Sequence, residues 1–233
     1  QVLLSIKKNV HSQQLVTEQT TADYRAEFGR ISAMCQGADS LEAWCTLYRK
    51  ITGWEIELST STDQSIKEIL AYQKSEANQE FCKFVRRNYY NWINKRVDEA
   101  DIPVMSHTLM RKKVFPIVDT HAKTTLLLID NFRYDQWRAI NPLLRGYYDV
   151  DVDDFYCAIL PTATQYARNA IFAGLMPLAI DRMMPDKWLN DNEEGGKNQY
   201  EDEFLSRQLK MAGKDYKWTF DKFHEMVKDI YID

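Results

Sequence analysis

The chain has 233 residues, 45% of them hydrophobic, and carries a formal net charge of −4 with a pI near 5.7. At roughly 100–200 residues per domain, two folding units are expected. No global basic field advertises a nucleic-acid surface, so a nucleotide ligand would have to be gripped locally, and non-specific DNA binding is disfavoured.

Cys35, Cys45, Cys82 and Cys157 are scattered without C-x-x-C spacing. That argues against a structural zinc site and a disulfide framework, and for reduced thiols in a cytoplasmic protein. The run Val2, Leu3, Leu4, Ser5, Ile6 is too short for a signal peptide. No apolar run approaches the roughly 18 residues of a membrane span, so a protein that is neither secreted nor membrane-spanning is expected.

From Thr21 to about Ile93 the hydrophobic rhythm is helical. Tyr24, Phe28, Ile31, Met34 and Cys35 mark one face of a first helix that Gly37 should end. Ser40 reads as an N-cap, followed by the stripe Leu41, Trp44, Cys45, Leu47, Tyr48, Ile51 and Trp54. A polar turn over 59–64 leads to a third helix through Ile66, Ile69, Leu70, Ala77, Phe81, Phe84, Val85, Tyr89 and Trp92. The expected unit over 17–100 is an up-and-down three-helix bundle, with Trp44, Ile51 and Trp54 packing against the stripe of Ile69, Phe81 and Trp92. Its charged outer faces are either solvated surface or a partner surface.

After the charged stretch 95–101 and Pro103 the rhythm changes. Residues 124–130 read as a buried strand, 135–145 as a helix, 154–160 as a second strand and 165–172 as a second helix. Strand, helix, strand, helix predicts a doubly wound parallel α/β sheet. The segment 183–198 is rich in Asp, Asn, Glu and Gly and reads as a long loop, in which Gly195 and Gly196 serve either close approach to a ligand or ordinary turn chemistry.

Both predicted strands end in chemistry: Asp130 closes the first, and Thr162 and Thr164 stand between the second and its helix. A strand-end carboxylate beside a hydroxyl at a helix mouth is an arrangement for metal-assisted phosphoryl transfer. A helix beginning just after Thr164 would offer amide groups to an anion. The plain alternatives are that a Thr N-caps the helix and that Asp130 caps a turn. Arg133 is suited to clamp a phosphoryl group, or else pairs with Asp135 or with the acidic run Asp149, Asp151, Asp153, Asp154. That run lacks the Gly and terminal Glu of an EF-hand loop and reads as solvated. His107 and His121 read as structural or exposed.

At Leu160-Pro161-Thr162-Ala163-Thr164-Gln165-Tyr166-Ala167-Arg168-Asn169-Ala170-Ile171-Phe172, together with Asp130-Asn131-Phe132-Arg133-Tyr134-Asp135-Gln136-Trp137 and Glu194-Gly195-Gly196-Lys197-Asn198, the chain resembles PorX-type response regulators. These carry a receiver, a three-helix bundle and a PglZ effector of the alkaline phosphatase superfamily, and are associated with type IX secretion. The resemblance implies a receiver-helix tail over 1–16, the bundle over 17–100 and the N-terminal part of the PglZ domain over 101–233, a partial alkaline-phosphatase-like domain. It implies a site with two zinc ions in which Asp130 and Thr164 are ligands and Thr164, by similarity to the Thr-x-Thr motif of nucleotide phosphodiesterases, is the nucleophile. By weaker analogy Lys197 and Asn198, with Arg133, contact the phosphoryl group.

The implied substrates are nucleotide or oligonucleotide phosphate esters. The implied partners are a sensor histidine kinase, a sigma factor and a second copy that associates on receiver phosphorylation. The family's further ligands, an Asp-His pair, an Asp-His-Gly turn and a distal His, are not matched: after Thr164 only His224 occurs, in Lys222-Phe223-His224-Glu225. The expectation is therefore that this chain carries the front half of the catalytic domain and is inactive alone. The alternative function is a signalling scaffold that binds the kinase or the sigma factor.

Overall fold

The computed structural model describes residues 2–121, 123–190 and 192–222, with side chains from Glu18 onward. Its helices are α1 (Val2–Gly37), α2 (Leu41–Glu57), α3 (Gln64–Ile93), α4 (Phe115–Thr120), α5 (Tyr134–Leu144), α6 (Thr164–Ala173), α7 (Pro177–Met183) and α8 (Glu201–Met211). The chain divides into two compact units, Gln1–Pro103 with Ile129–Phe155, and Val104–Leu128 with Tyr156–Asp233.

In the first unit α1, α2 and α3 pack on one another. Helix α1 ends at Gly37, and the Ser40 hydroxyl caps α2 by accepting from the Ala43 N–H at 3.2 Å. Helix α3 is capped by the Asp63 carboxylate, which accepts from the Ser65 and Ile66 amides. Buried Tyr24, Ile31, Trp44, Leu47, Ile51, Ile66, Leu70, Ala77, Phe84 and Trp92 fill the core. Trp44 meets Phe81 edge-on at 5.4 Å between centroids, and Phe84 lies 5.8 Å from Trp92.

Two positions depart from the expected packing. Ile69 lies off the line of Ile66, Leu70, Gln73 and Ala77 and is exposed, while Trp54 turns to Tyr24 of α1 with centroids 5.3 Å apart. Gln73, polar and invisible to a hydrophobic pattern, is buried at the centre. Its amide accepts from the Tyr24 hydroxyl at 2.9 Å and donates to the Phe28 carbonyl and the Ser32 hydroxyl, each at 3.0 Å. A buried polar group with its partners in place costs little and selects one alignment of the helices.

Helix α5 also belongs to this unit and packs on α2. Arg49 lies over the Phe155 ring at 4.4 Å and the Tyr134 ring at 5.7 Å. It donates to the Asp153 carbonyl at 2.6 Å and meets the Asp153 carboxylate at 3.2 Å. Tyr48, Tyr134 and Phe155 surround it with centroid separations of 4.9 to 5.7 Å.

The second unit is built around α6, which packs on α8, α7 and the 3-10 turn Ser106–Thr108. Phe172, Ala173, Ile180, Trp188 and Phe204 form one core; Met110, Phe115, Ile171 and Leu209 form another, and Leu128 packs against both.

The strands expected over 124–130 and 154–160 are not formed among the described residues. An extended segment becomes a strand only when a neighbouring chain answers its amides and carbonyls. Here the sole β contact among the described residues is an isolated parallel bridge between Met105 and Cys157, with the Cys157 amide donating to the Val104 carbonyl at 2.8 Å. Ile159 is fully buried beside it, its amide donating to the Ser106 hydroxyl. Along 124–130 no β pairing is formed among the described residues, and Leu126, Leu127 and Ile129 are exposed.

Candidate functional site

Asp130 ends the run Leu126–Ile129 at a sharp turn. Asn131 takes the left-handed conformation (φ 55°), which Asn tolerates better than most residues, and the Asp130 carboxylate accepts its amide at 3.0 Å. The side chain is exposed, and this contact lies within the turn itself.

Arg133, three residues on, pairs with Asp135 in a forked contact, Nε to Oδ1 at 3.0 Å and Nη2 to Oδ2 at 2.8 Å. This contact holds the Asp135 carboxyl below its ordinary range. Of the acidic run, Asp153 is engaged by Arg49 and by the Trp137 indole, while Asp149 and Asp151 are exposed.

Thr164 is the first residue of α6, and both it and Thr162 are exposed. The N-cap is Ala163, which makes no side-chain cap hydrogen bond, so neither threonine occupies the N-cap position. Behind Thr164, α6 is buried almost all round, through Ala167, Asn169, Ala170, Ile171, Phe172 and Ala173. A helix so enclosed holds its first residue by packing rather than by a cap.

Its far end closes at Gly174, whose φ of 64° suits glycine and where a Cβ would strike Gln208. With its amide turned to satisfy both ends, Gln208 donates to the Phe172 carbonyl at 3.1 Å and accepts from the Gly174 amide at 3.2 Å.

The loop after Trp188 returns to the head of α6. Gln165 donates to the Leu189 carbonyl at 2.8 Å, and Asn198 donates to the Asn169 side-chain oxygen at 3.0 Å and to the Thr164 carbonyl at 3.4 Å. Asn169 in turn donates to the Lys197 carbonyl at 2.9 Å. The Lys197 ammonium is turned to the loop itself, bonding the Asn190 carbonyl and, at 3.0 Å, the Glu193 carbonyl. Gly195, at φ 125°, supplies a backbone bend that other residues seldom adopt.

Beneath the loop Glu201, 2% exposed, is bound by Arg168, with Nη2 to Oε2 at 2.9 Å, and by Lys222 at 3.0 Å. Lys222 also donates to the Asn198 carbonyl.

Of the residues singled out in the sequence, Thr164 and Asn198 are therefore in direct contact, while Asp130 and Arg133 lie in the other unit. Asn169, Arg168 and Glu201 carry no individual signal in the sequence. A pair separated by thirty-three positions, as Arg168 and Glu201 are, leaves no local signal.

Among the described residues no group of three or more His, Cys, Asp or Glu side chains converges as a metal site. The described residues do not by themselves fit the zinc pair that the resemblance implies. No helix among them is long and apolar enough to cross a membrane.

Comparison with known families places two matches on the chain. Residues 14–93 match the PorX response regulator linker domain, and residues 109–230 match the BREX system PglZ alkaline phosphatase-like domain. Among curated proteins, no sequence matches this chain.

Proposed function

The chain belongs to the PglZ alkaline phosphatase-like family, with a PorX-type response regulator linker ahead of it, and from that membership we propose that it serves as the effector of a response regulator that hydrolyses nucleotide or oligonucleotide phosphate esters through Thr164. The observation that carries the reading is the position of Thr164 within the matched segment: exposed, first in a helix whose N-cap is an alanine, and held from behind by packing. The leading amides of such a helix favour a phosphoryl oxyanion in front of them. Zinc ligation by Asp130 and by Thr164 enters this reading from the resemblance alone, and metal analysis tests it.

Arg133 and Lys197 enter with weaker support, because Asp135 and two loop carbonyls already engage them. Asn198 acts on the backbone of Thr164. The test is hydrolysis of a chromogenic phosphodiester and of short oligonucleotides by the complete protein, with metal analysis of the protein and of this chain alone. The reading expects turnover and two zinc ions in the complete protein, and no stoichiometric zinc in this chain. Two tightly held zinc ions in the chain alone would overturn the ligand assignment.

A second reading, a scaffold for a sensor kinase, a sigma factor or a second copy in a phosphorylation-dependent dimer, is favoured by the exposed apolar residues Leu143, Tyr147, Tyr148 and Val152, close in sequence and each at least 70% accessible. Full signalling by a protein without phosphodiesterase turnover would select it.

A further inference from the structure

Thr164 is exposed at the first position of α6, and side chains of the loop after Trp188 grip the backbone of that first turn. That grip is a closed exchange of amides. Asn198 reaches the Thr164 carbonyl and the Asn169 side-chain oxygen, and Asn169 answers by donating to the Lys197 carbonyl. Asn169 is 1% exposed, and because both ends of its amide are engaged, it has one orientation and no water to compete with it. Arg168 and Lys222 both pair with Glu201, and Lys222 ties Glu201 to the Asn198 carbonyl. The same loop segment is therefore held twice, by the Asn169 amide at the Lys197 carbonyl and by the Glu201-paired Lys222 at the Asn198 carbonyl.

We propose that Asn169 is a positioning residue for Thr164, acting through Asn198 to hold the first turn of α6 and the backbone of residues 197–198 in one register; the inference rests on the reading of Thr164 as the nucleophile. An apolar residue at 169 would fill the same space, so what the amide adds is register rather than bulk. A nucleophile displaced by about an ångström can lose on the order of 10²-fold in rate while the substrate still binds.

The experiment uses Asn169→Ala and Asn198→Ala in the complete protein, with bis(4-nitrophenyl) phosphate as the probe and amide hydrogen exchange as a second readout. Each variant should lose roughly 10-fold or more in kcat with KM within about 3-fold, and exchange should quicken over 164–168 and 196–199 while the bundle stays protected. Unchanged kcat with wild-type exchange overturns the proposal, as does a loss confined to KM. If Asn169→Ala does not fold, Asn198→Ala decides, because Asn198 is only half-buried and its truncation leaves the core intact. A wild-type protein without turnover would defeat the nucleophile reading on its own. The exchange experiment would then judge the brace: quicker exchange confined to those segments supports it, and unchanged exchange overturns it.

Discussion

Tyr24 shows how much one polar contact can specify. Its ring is fully buried against Trp54, and its hydroxyl donates to Gln73, so burial pushes the phenol up to about 12. The phenol is harder to ionise in the folded chain than in the unfolded one, where it titrates near 10. The stabilisation is complete below about pH 10 and is lost as the pH rises toward about 12. Tyr24→Phe should remove most of that alkaline slope in melting temperature. At neutral pH it should cost about 1–3 kcal/mol, because the Gln73 carbonyl loses its donor in a place water does not reach. A variant as stable as the parent, with the slope intact, would show that the hydroxyl pins nothing.

Among the elements, the contact between α2 and residues 129–155 has the most direct bearing on coupling, because the linker helix there meets the segment that carries Asp130 and Arg133. Its centre is Arg49, stacked on Phe155 and Tyr134 and bonded to Asp153. Arg49→Ala should lower unfolding stability by about 1–2 kcal/mol in urea titration, and Arg49→Lys should recover less than half, since an ammonium cannot stack and fork together. Full recovery by Lys would reduce the contact to simple charge pairing.

None of this was legible from hydrophobic spacing, in which Tyr48 counted as core and Asp153 as solvated loop. The end of α1 at Gly37 and the Ser40 cap were legible, because a helix terminus is written in neighbouring residues. The strand readings failed at 124–130 for the opposite reason: an apolar run becomes a strand only against a partner, and its own sequence does not supply one. At 154–160 the partner was Val104–Met105, distant in sequence, and a single bridge resulted. In the candidate site Thr164 was legible through its motif, while Asn169 and Glu201 act through partners 29 and 33 positions away.

For the molecule as a whole, two units carry the residues of the proposed chemistry, Asp130 and Arg133 in one, Thr164, Lys197 and Asn198 in the other. Thr164 is the proposed nucleophile, and Thr162, also exposed and two residues earlier, is the natural control. Valine keeps the branching and nearly the volume of threonine while removing the oxygen, so neither substitution should disturb the packing of α6. The most direct measurement is phosphodiester turnover by the complete protein carrying Thr164→Val or Thr162→Val, with folding checked by thermal melting. The account predicts a loss of at least about 10²-fold in kcat for Thr164→Val and a smaller effect for Thr162→Val. Full activity in Thr164→Val, or an inactive Thr162→Val beside it, would contradict the account.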